Sequence, residues 1–340
     1  AGSILPDVAS LGALDQAVVD EYEQWKSLYL RAACGGYIVE AAVGAARTVS
    51  EAHGYGMMIA AYMAGYDTEA KAIFDGMHSY LLDHPSQGSA DLMAWSQDAS
   101  CNNNQGAQSA TDGDLDVAYA LLLADKQWGS GGAIHYRAEA DRISQAILTH
   151  EVDDTNSWFL LGDWAHNSGQ YYDATRSSDF MPGHVASFLA ADGSKEWKSV
   201  LDGGYAIFSA VQSTSASATG LFPDFIRFPA SSPAPAGSDF LEGPYDGTYR
   251  YNACRVPWRL GVHYLTSGEP RAAALLSKIN NWVKTKTAGD PDNIEAGYWL
   301  DGDTLPGSSY FSTAFAGPFG VAAMSNGAHQ AWLNKIWTAL

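Results

Sequence analysis

The sequence predicts an all-α protein built as a double ring of helices, and three observations lead there. Eleven stretches of the 340 residues carry helical periodicity and are joined by long loops. Stretches apolar on every side largely alternate with stretches apolar on one side only. A helix apolar all round is buried and an amphipathic one borders water, so the alternation fits an inner ring wrapped by an outer one. Strand-like pieces are short (Gly36 to Ala41, Gly220 to Phe228) and suit small ribbons within loops.

Leu14 to Leu30 comes first, with Val18, Val19, Tyr22, Trp25 and Leu28 at helical spacing. Glu51 to Ala64 is nearly all apolar, and Thr68 to Leu82 keeps its charge on one side. The same contrast recurs between Asp112 to Gln127 and Ile134 to Thr149, then between Phe180 to Ala190 and Lys195 to Gln212. Tyr251 to Leu265 is apolar, Pro270 to Thr285 amphipathic, Thr313 to Met324 apolar, and Ala328 to Leu340 follows. The one compositional break is FPASSPAPAG, Phe228 to Gly237. The alternation resumes beyond it, so it reads as a loop within a single domain spanning residues 1–340.

Apolar residues make up 46% of the chain, enough to bury a large core. No apolar run approaches the roughly 18 residues of a membrane span. The opening AGSILPDV has neither part of a signal peptide, as expected of the mature form of a secreted protein. Thirty-eight Asp and Glu against 19 Lys and Arg give a net charge of −19, which argues against nucleic acid as partner. A soluble monomer with no membrane partner is expected. The 11 Trp and 18 Tyr serve the core, and their flat rings also suit stacking on pyranose faces. Cys34 (AACGGY) and Cys101 (DASCNNNQ) are loop-like, whereas Cys254 (NACRVPW) sits at an apolar-aromatic helix start. A Cys34–Cys101 disulfide and a free, buried Cys254 are expected, in an oxidising compartment. Three thiols so spaced make a poor zinc site.

Gly54 and Gly56 follow Glu51 in TVSEAHGYGMMIA, and each costs a helix roughly 1 kcal/mol against Ala. The cost is explained if a sugar must come close to the backbone beside Glu51. Asp112 and Asp114 follow Thr111 in SATDGDLDVAY, a Thr-x-x-Asp capping pattern with Thr111 as N-cap. Glu242 lies in SDFLEGPYDGTYRYNACR. Each acid has an ordinary explanation: charge in a first helical turn offsets the macrodipole, and a loop carboxylate is solvated. The competing explanation is convergence. Glu51, Asp112 and the Glu242–Asn252 segment all lie at N-terminal ends of apolar helices, so an inner ring can bring them to one mouth. Two carboxyls flanking a glycosidic bond, one protonated and one ionised, are the machinery of glycoside hydrolysis.

These residues carry a family resemblance. ATDGDLDVAYALLLADKQW, Ala110 to Trp128, resembles the signature of glycoside hydrolase family 8, with Val117 where that family prefers Ile or Met. SEAHGYGM is similar to the family's Ser-Glu-Gly-Gln-x-Tyr-Gly-Met, with Ala52 and His53 departing from Gly-Gln. LMAWSQD, TRSSDFMPGH and YNACRVPWR resemble further family segments in the expected order, so the resemblance covers nearly the whole chain. It implies one catalytic (α/α)6-barrel domain, endo-acting and inverting hydrolysis of β-1,4-linked glycans, and no metal or cofactor. Carried over by position, Glu51 matches the general acid and Asp112 the aspartate that positions the distorted sugar. Phe240-Leu241-Glu242 followed by Tyr251-Asn252-Ala253 resembles the branch with Asn in place of the usual base, which makes Glu242 the general base. Asn cannot deprotonate water, so the chemistry agrees. Arg255 matches an arginine beside the base, where it holds the base ionised or forms a structural ion pair. Tyr55, Trp95, Trp158, Asp179, Tyr251, Asn252 and Arg255 are the expected substrate contacts, with Trp95 the favoured stacking platform. Trp164, Trp258 and Phe180 are further stacking candidates, and His53 is expected near the acid. The substrate implied is a polysaccharide: β-glucan, because NACRVPWR is closer to the glucanases, or chitosan, which the negative charge would attract. A non-catalytic glycan-binding barrel would have lost a carboxylate, and all three are present. An (α/α)6 ring wants twelve helices where eleven are countable, and the family usually continues with one more.

Overall fold

Apolar and amphipathic segments separate into two layers. The computed structural model describes residues 3–41, 43–104, 106–155 and 157–340. Among them are eleven α-helices: α1 (Leu11–Tyr29), α2 (Ser50–Met63), α3 (Ala70–Asp83), α4 (Thr111–Trp128), α5 (Tyr136–His150), α6 (Pro182–Asp192), α7 (Lys195–Thr214), α8 (Val256–Ser267), α9 (Pro270–Lys286), α10 (Thr313–Ala323) and α11 (Gln330–Ala339). Inner helices pack in succession, α2 on α4, α4 on α6, α6 on α8 and α8 on α10, and each also meets the outer helix that follows it. The outer helices bury one face, which carries Tyr80, Tyr136, Trp197, Tyr205 and Trp332 into the core. Helix α1 lies over the α2–α3 turn, where Tyr22 donates to Asp67 and Lys26 Nζ stands 2.7 Å from the same carboxylate. The fold is the helical barrel that the alternating pattern predicts, with no helix long and apolar enough to cross a membrane among the described residues.

Strands are confined to loops. β1 (Leu30–Ala33) and β2 (Gly36–Val39) form a hairpin, and β3 (Thr48–Val49) pairs with β4 (Ser96–Gln97). β5 (Ala174–Arg176), β6 (Phe225–Arg227) and β7 (Ala234–Pro235) form an antiparallel three-stranded sheet. The Pro-rich segment thus supplies β7. Between α1, α2 and α8 lies an apolar hollow of about 730 Å³, lined by Tyr29, Tyr55, Met58, Tyr62, Trp258 and Val262. A smaller one of about 280 Å³ separates α1 from α10 and α11.

Three local expectations need correcting. Thr111 is not the cap of α4: Ala110 is, and the Thr111 hydroxyl donates instead to the Leu160 carbonyl at 2.7 Å. Helix α8 begins at Val256, after a 3-10 turn over Ala253–Arg255, so Tyr251 and Asn252 stand outside it. The two glycines of α2 serve packing rather than sugar approach. A Cβ on Gly54 would lie 2.6 Å from Cβ of Asp116, and one on Gly113 of α4 would lie 2.6 Å from Cβ of Ser50. A Cβ on Gly56 would lie 2.6 Å from Val39 Cγ2 of β2. Backbone contact between α2 and α4 brings their N-termini, and so Glu51 and Asp112, side by side.

Gly54→Ala is therefore expected to lower stability by about 1–3 kcal/mol through overpacking. Gly12→Ala is the control: on α1 its added methyl meets nothing within 4 Å. There the better helix propensity raises stability by up to about 1 kcal/mol. Denaturant melts of both variants read the contrast.

Candidate active site

Four segments converge on the mouth of the barrel. The β3–β4 pair continues into α2, where Ser50 gives its amide to the Trp95 carbonyl at 2.8 Å, setting Glu51 beside Trp95. Asp112 comes from the first turn of α4. Glu242 sits on a loop whose shape Asp246 maintains, its Oδ2 accepting from the Leu241 and Glu242 amides at 2.7 and 3.0 Å. Asp246 is buried and occupied in this way, not available as a base. Asn252 lies on a turn held by Asp224, whose Oδ1 accepts from the Arg250 and Ala253 amides at 3.1 and 2.7 Å.

The side chains form a closed ring of hydrogen bonds. Arg255 Nη2 donates to Asn252 Oδ1 at 2.8 Å, and Asn252 Nδ2 donates to Glu242 Oε2 at 2.8 Å. Glu242 Oε1 accepts from Arg176 Nη2 at 2.9 Å, and Arg176 Nη1 lies 3.4 Å from Asp179 Oδ2. Ser178 closes the ring, donating to Asp179 Oδ1 at 3.1 Å and accepting from Arg255 Nη2 at 2.9 Å. From this ring Arg255 Nη1 reaches outward to Glu51 Oε1 and, at 3.1 Å, to Asp112 Oδ2. Tyr55, one turn along α2, donates to Glu51 Oε1 at 2.9 Å. One turn deeper, Asp116 of α4 takes both guanidinium nitrogens of Arg259 at 2.9 and 2.7 Å and His184 Nε2 at 2.8 Å. Burial opposes the charge of Asp116, but Arg259 and His184 together hold its carboxyl below the usual range.

The carboxyls differ in access. Glu51 and Glu242 are the open ones, with side chains 36% and 45% exposed. Asp112 is nearly buried and Asp179 fully so. Burial pushes the Asp179 carboxyl up to about 7, Arg176 opposing and Asp112 adding to the rise. A cleft of about 490 Å³ runs past Glu242, lined by Trp95, Gln108, Ser109, Trp164, Arg176 and Leu241. Tyr251 is half exposed at the rim, its hydroxyl 2.7 Å from that of Tyr310.

Several expected contacts lie elsewhere. Trp158 is only 6% exposed and sits in the core against Tyr172, so it is no platform. Phe180 is buried edge-on against Tyr205 and Phe208. Trp258 faces the apolar hollow beneath the Arg259 guanidinium. Asp179 has no surface to offer a sugar and acts on the cleft only through Arg176. His53 points away from Glu51, its Nε2 3.0 Å from the Met77 carbonyl; burial lowers the imidazole to about 4. Arg255 does not touch Glu242: its anionic partners are Glu51 and Asp112, and the cation on Glu242 is Arg176. Sequence reasoning passed over Arg176 although it opens the second residue of TRSSDFMPGH. The only signal was a basic residue next to an acid-bearing loop motif.

Cys34 and Cys101 are joined in a disulfide with Cα atoms 6.3 Å apart. Cys254 is free and buried, its thiol pushed up to about 12 by burial. Among the described residues no group of three or more His, Cys, Asp or Glu is placed to hold a metal ion.

A ring of helices whose mouth presents two open carboxyls beside tryptophan-lined walls is the frame of a polysaccharide hydrolase. The sequence matches the glycosyl hydrolases family 8 profile over residues 5–298, and the chain belongs to that family. It is 46% identical over 337 residues to a beta-glucanase of Niallia circulans, covering 99% of this chain and 82% of that one. An endoglucanase of Bacillus sp. (strain KSM-330) is 38% identical over 349 residues, covering 99% and 73%. Among solved structures, the apo beta-1,3-1,4-glucanase from Paenibacillus sp. X4 superposes with a TM-score of 0.96 at 45% identity, covering 99% of this chain and 89% of that one.

The turn beneath Asn252 carries a pH signature. Burial pushes the Asp224 carboxyl up to about 7, its two amide donors opposing. Asp224 therefore binds its proton more tightly folded than unfolded. The resulting stability is complete below the ordinary carboxylate range and is lost as pH rises through about 7. Asp224→Asn keeps the Oδ1 acceptor and removes the titration. Its melting temperature should fall less than that of the wild type between about pH 4 and pH 8, as scanning calorimetry at a series of pH values would record.

Proposed function

We propose that the protein is an endo-acting, inverting β-glucanase, cleaving β-1,4 bonds in mixed-linkage glucan or cellulose. The observation that carries this reading is the placement of Glu51 and Glu242. They are the two open carboxyls of the mouth, and they are held apart by the Arg255–Asn252 bridge. The similarity to a beta-glucanase and an endoglucanase supports the substrate class. We take the catalytic unit to be a single domain, secreted and monomeric.

In this reading Glu51 donates its proton to the glycosidic oxygen as the bond to the anomeric carbon breaks. Glu242 accepts a proton from the water that attacks the opposite face, so the anomeric configuration inverts. Asn252 keeps the base aimed by donating to one of its oxygens and leaves the deprotonation to Glu242. In the resting site Arg255 and Tyr55 both donate to Glu51 Oε1, which leaves Oε2 as the oxygen to carry the proton that Glu51 donates. Trp95 and Trp164 offer ring faces for pyranose stacking.

Reducing-end release from barley β-glucan, carboxymethyl-cellulose, xylan and chitosan tests the reading. The expected result is activity on the first two and loss of about 10²–10⁴-fold in each of Glu51→Gln and Glu242→Gln. Proton NMR should register the α-anomer as first product. Activity on chitosan alone would replace β-glucan with a cationic substrate, and full activity of Glu242→Gln would remove the base assignment.

A further inference from the structure

We propose that Arg176 is a positioning residue for the general base, fixing the plane and aim of the Glu242 carboxylate; this rests on the assignment of Glu242 as base. A base carried on a loop needs an anchor, because Glu has three rotatable bonds and its carboxylate is free to turn away from the water. Asn252 secures Oε2 alone. Arg176 secures Oε1 at 2.9 Å, and the two donors together fix the plane of the carboxylate.

Arg176 is itself held in place from three directions. Its backbone belongs to β5, in register with Phe225 of β6. Its guanidinium lies over the Phe225 ring, 5.2 Å from the centroid. Its Nη1 is restrained by the fully buried Asp179, a partner that leaves Nη2 directed to Glu242. The side chain is only 11% exposed, so its charge is screened less by solvent than that of a surface arginine. The planar fork is the feature that Lys lacks, since it binds Glu242 and Asp179 with different nitrogens at once. Arg176 also lines the cleft, so a purely substrate-binding role is the alternative to be separated.

The test is kinetic, on barley β-glucan across pH, with Arg176→Gln, Arg176→Lys, Glu242→Gln and the Arg176→Gln/Glu242→Gln double variant. The expected result is a fall in kcat of about 10- to 100-fold in Arg176→Gln with KM changed less than about 2-fold, because the interaction acts on the reacting groups and not on ground-state binding. Arg176→Lys should recover part of the lost kcat. In the Glu242→Gln background the same replacement should cost less than about 2-fold, because residues acting as a unit are not additive. An equal loss in both backgrounds would overturn the inference while leaving the base intact, as would a raised KM with unchanged kcat. Wild-type activity in Glu242→Gln would instead remove the base, and the positioning role with it. If Arg176→Gln does not fold, judged by circular dichroism, the comparison is carried by Arg176→Lys, for which full kcat would count against the inference.

Discussion

The catalytic face depends on one buried guanidinium. Arg255 has side-chain partners from three distant segments, Glu51 and Tyr55 on α2, Asp112 on α4 and Ser178 before α6, and a further one, Asn252, on its own turn. Taking a charge out of water is costly unless its donors are satisfied, and here five side-chain acceptors share that task. Two of them are carboxylates that would otherwise repel each other across the gap between α2 and α4. The arginine is thus the reason two acids can share one mouth. Its planar donor array suits partners on several sides, which a point-charged ammonium would not.

The arrangement repeats one turn deeper. Asp116 follows Asp112 by four residues on α4, and Arg259 of α8 follows Arg255 of the preceding 3-10 turn by four residues, so two aspartate–arginine pairs stack across the barrel. The upper pair is also buried, but it has partners to exchange in Glu51 and Asn252. The lower pair is sealed, bidentate, and backed by His184, with Tyr119 stacked 3.9 Å from that imidazole. A sealed ion pair beneath an exchangeable one lets the surface charges rearrange around a sugar without loosening the join between α4 and α8.

Much of the architecture was legible because it is local. Helical periodicity marked all eleven helices, and the contrast between apolar and amphipathic stretches sorted inner from outer. Positions at helix starts pointed to a common mouth for Glu51 and Asp112. What could not be read depends on contacts between distant residues. Gly54 and Gly56 looked like room for a ligand because the sequence does not say which helix lies against them. Trp158 and Trp164 are six residues apart in one loop region, and nothing local tells the buried ring from the one at the cleft. Arg255 and Arg176 are both basic residues near acids, and only the course of β5 and the turn before α8 decides which of them meets Glu242.

The pairing of β3 with β4 makes Glu51 and the Trp95 wall a single jaw, since Ser50 and Trp95 share a backbone hydrogen bond. The disulfide staples the far end of that jaw, at Cys101, to the hairpin of β1 and β2. The opposing jaw, made of the β5–β6–β7 sheet and the Glu242 loop, has no such staple and relies on Asp246 and Arg176. Reductant should therefore slacken the Trp95 side of the cleft and leave the Glu242 side as it was. In the same way, a graft of new sequence between β4 and α4 would reshape the Trp95 side without reaching Glu242.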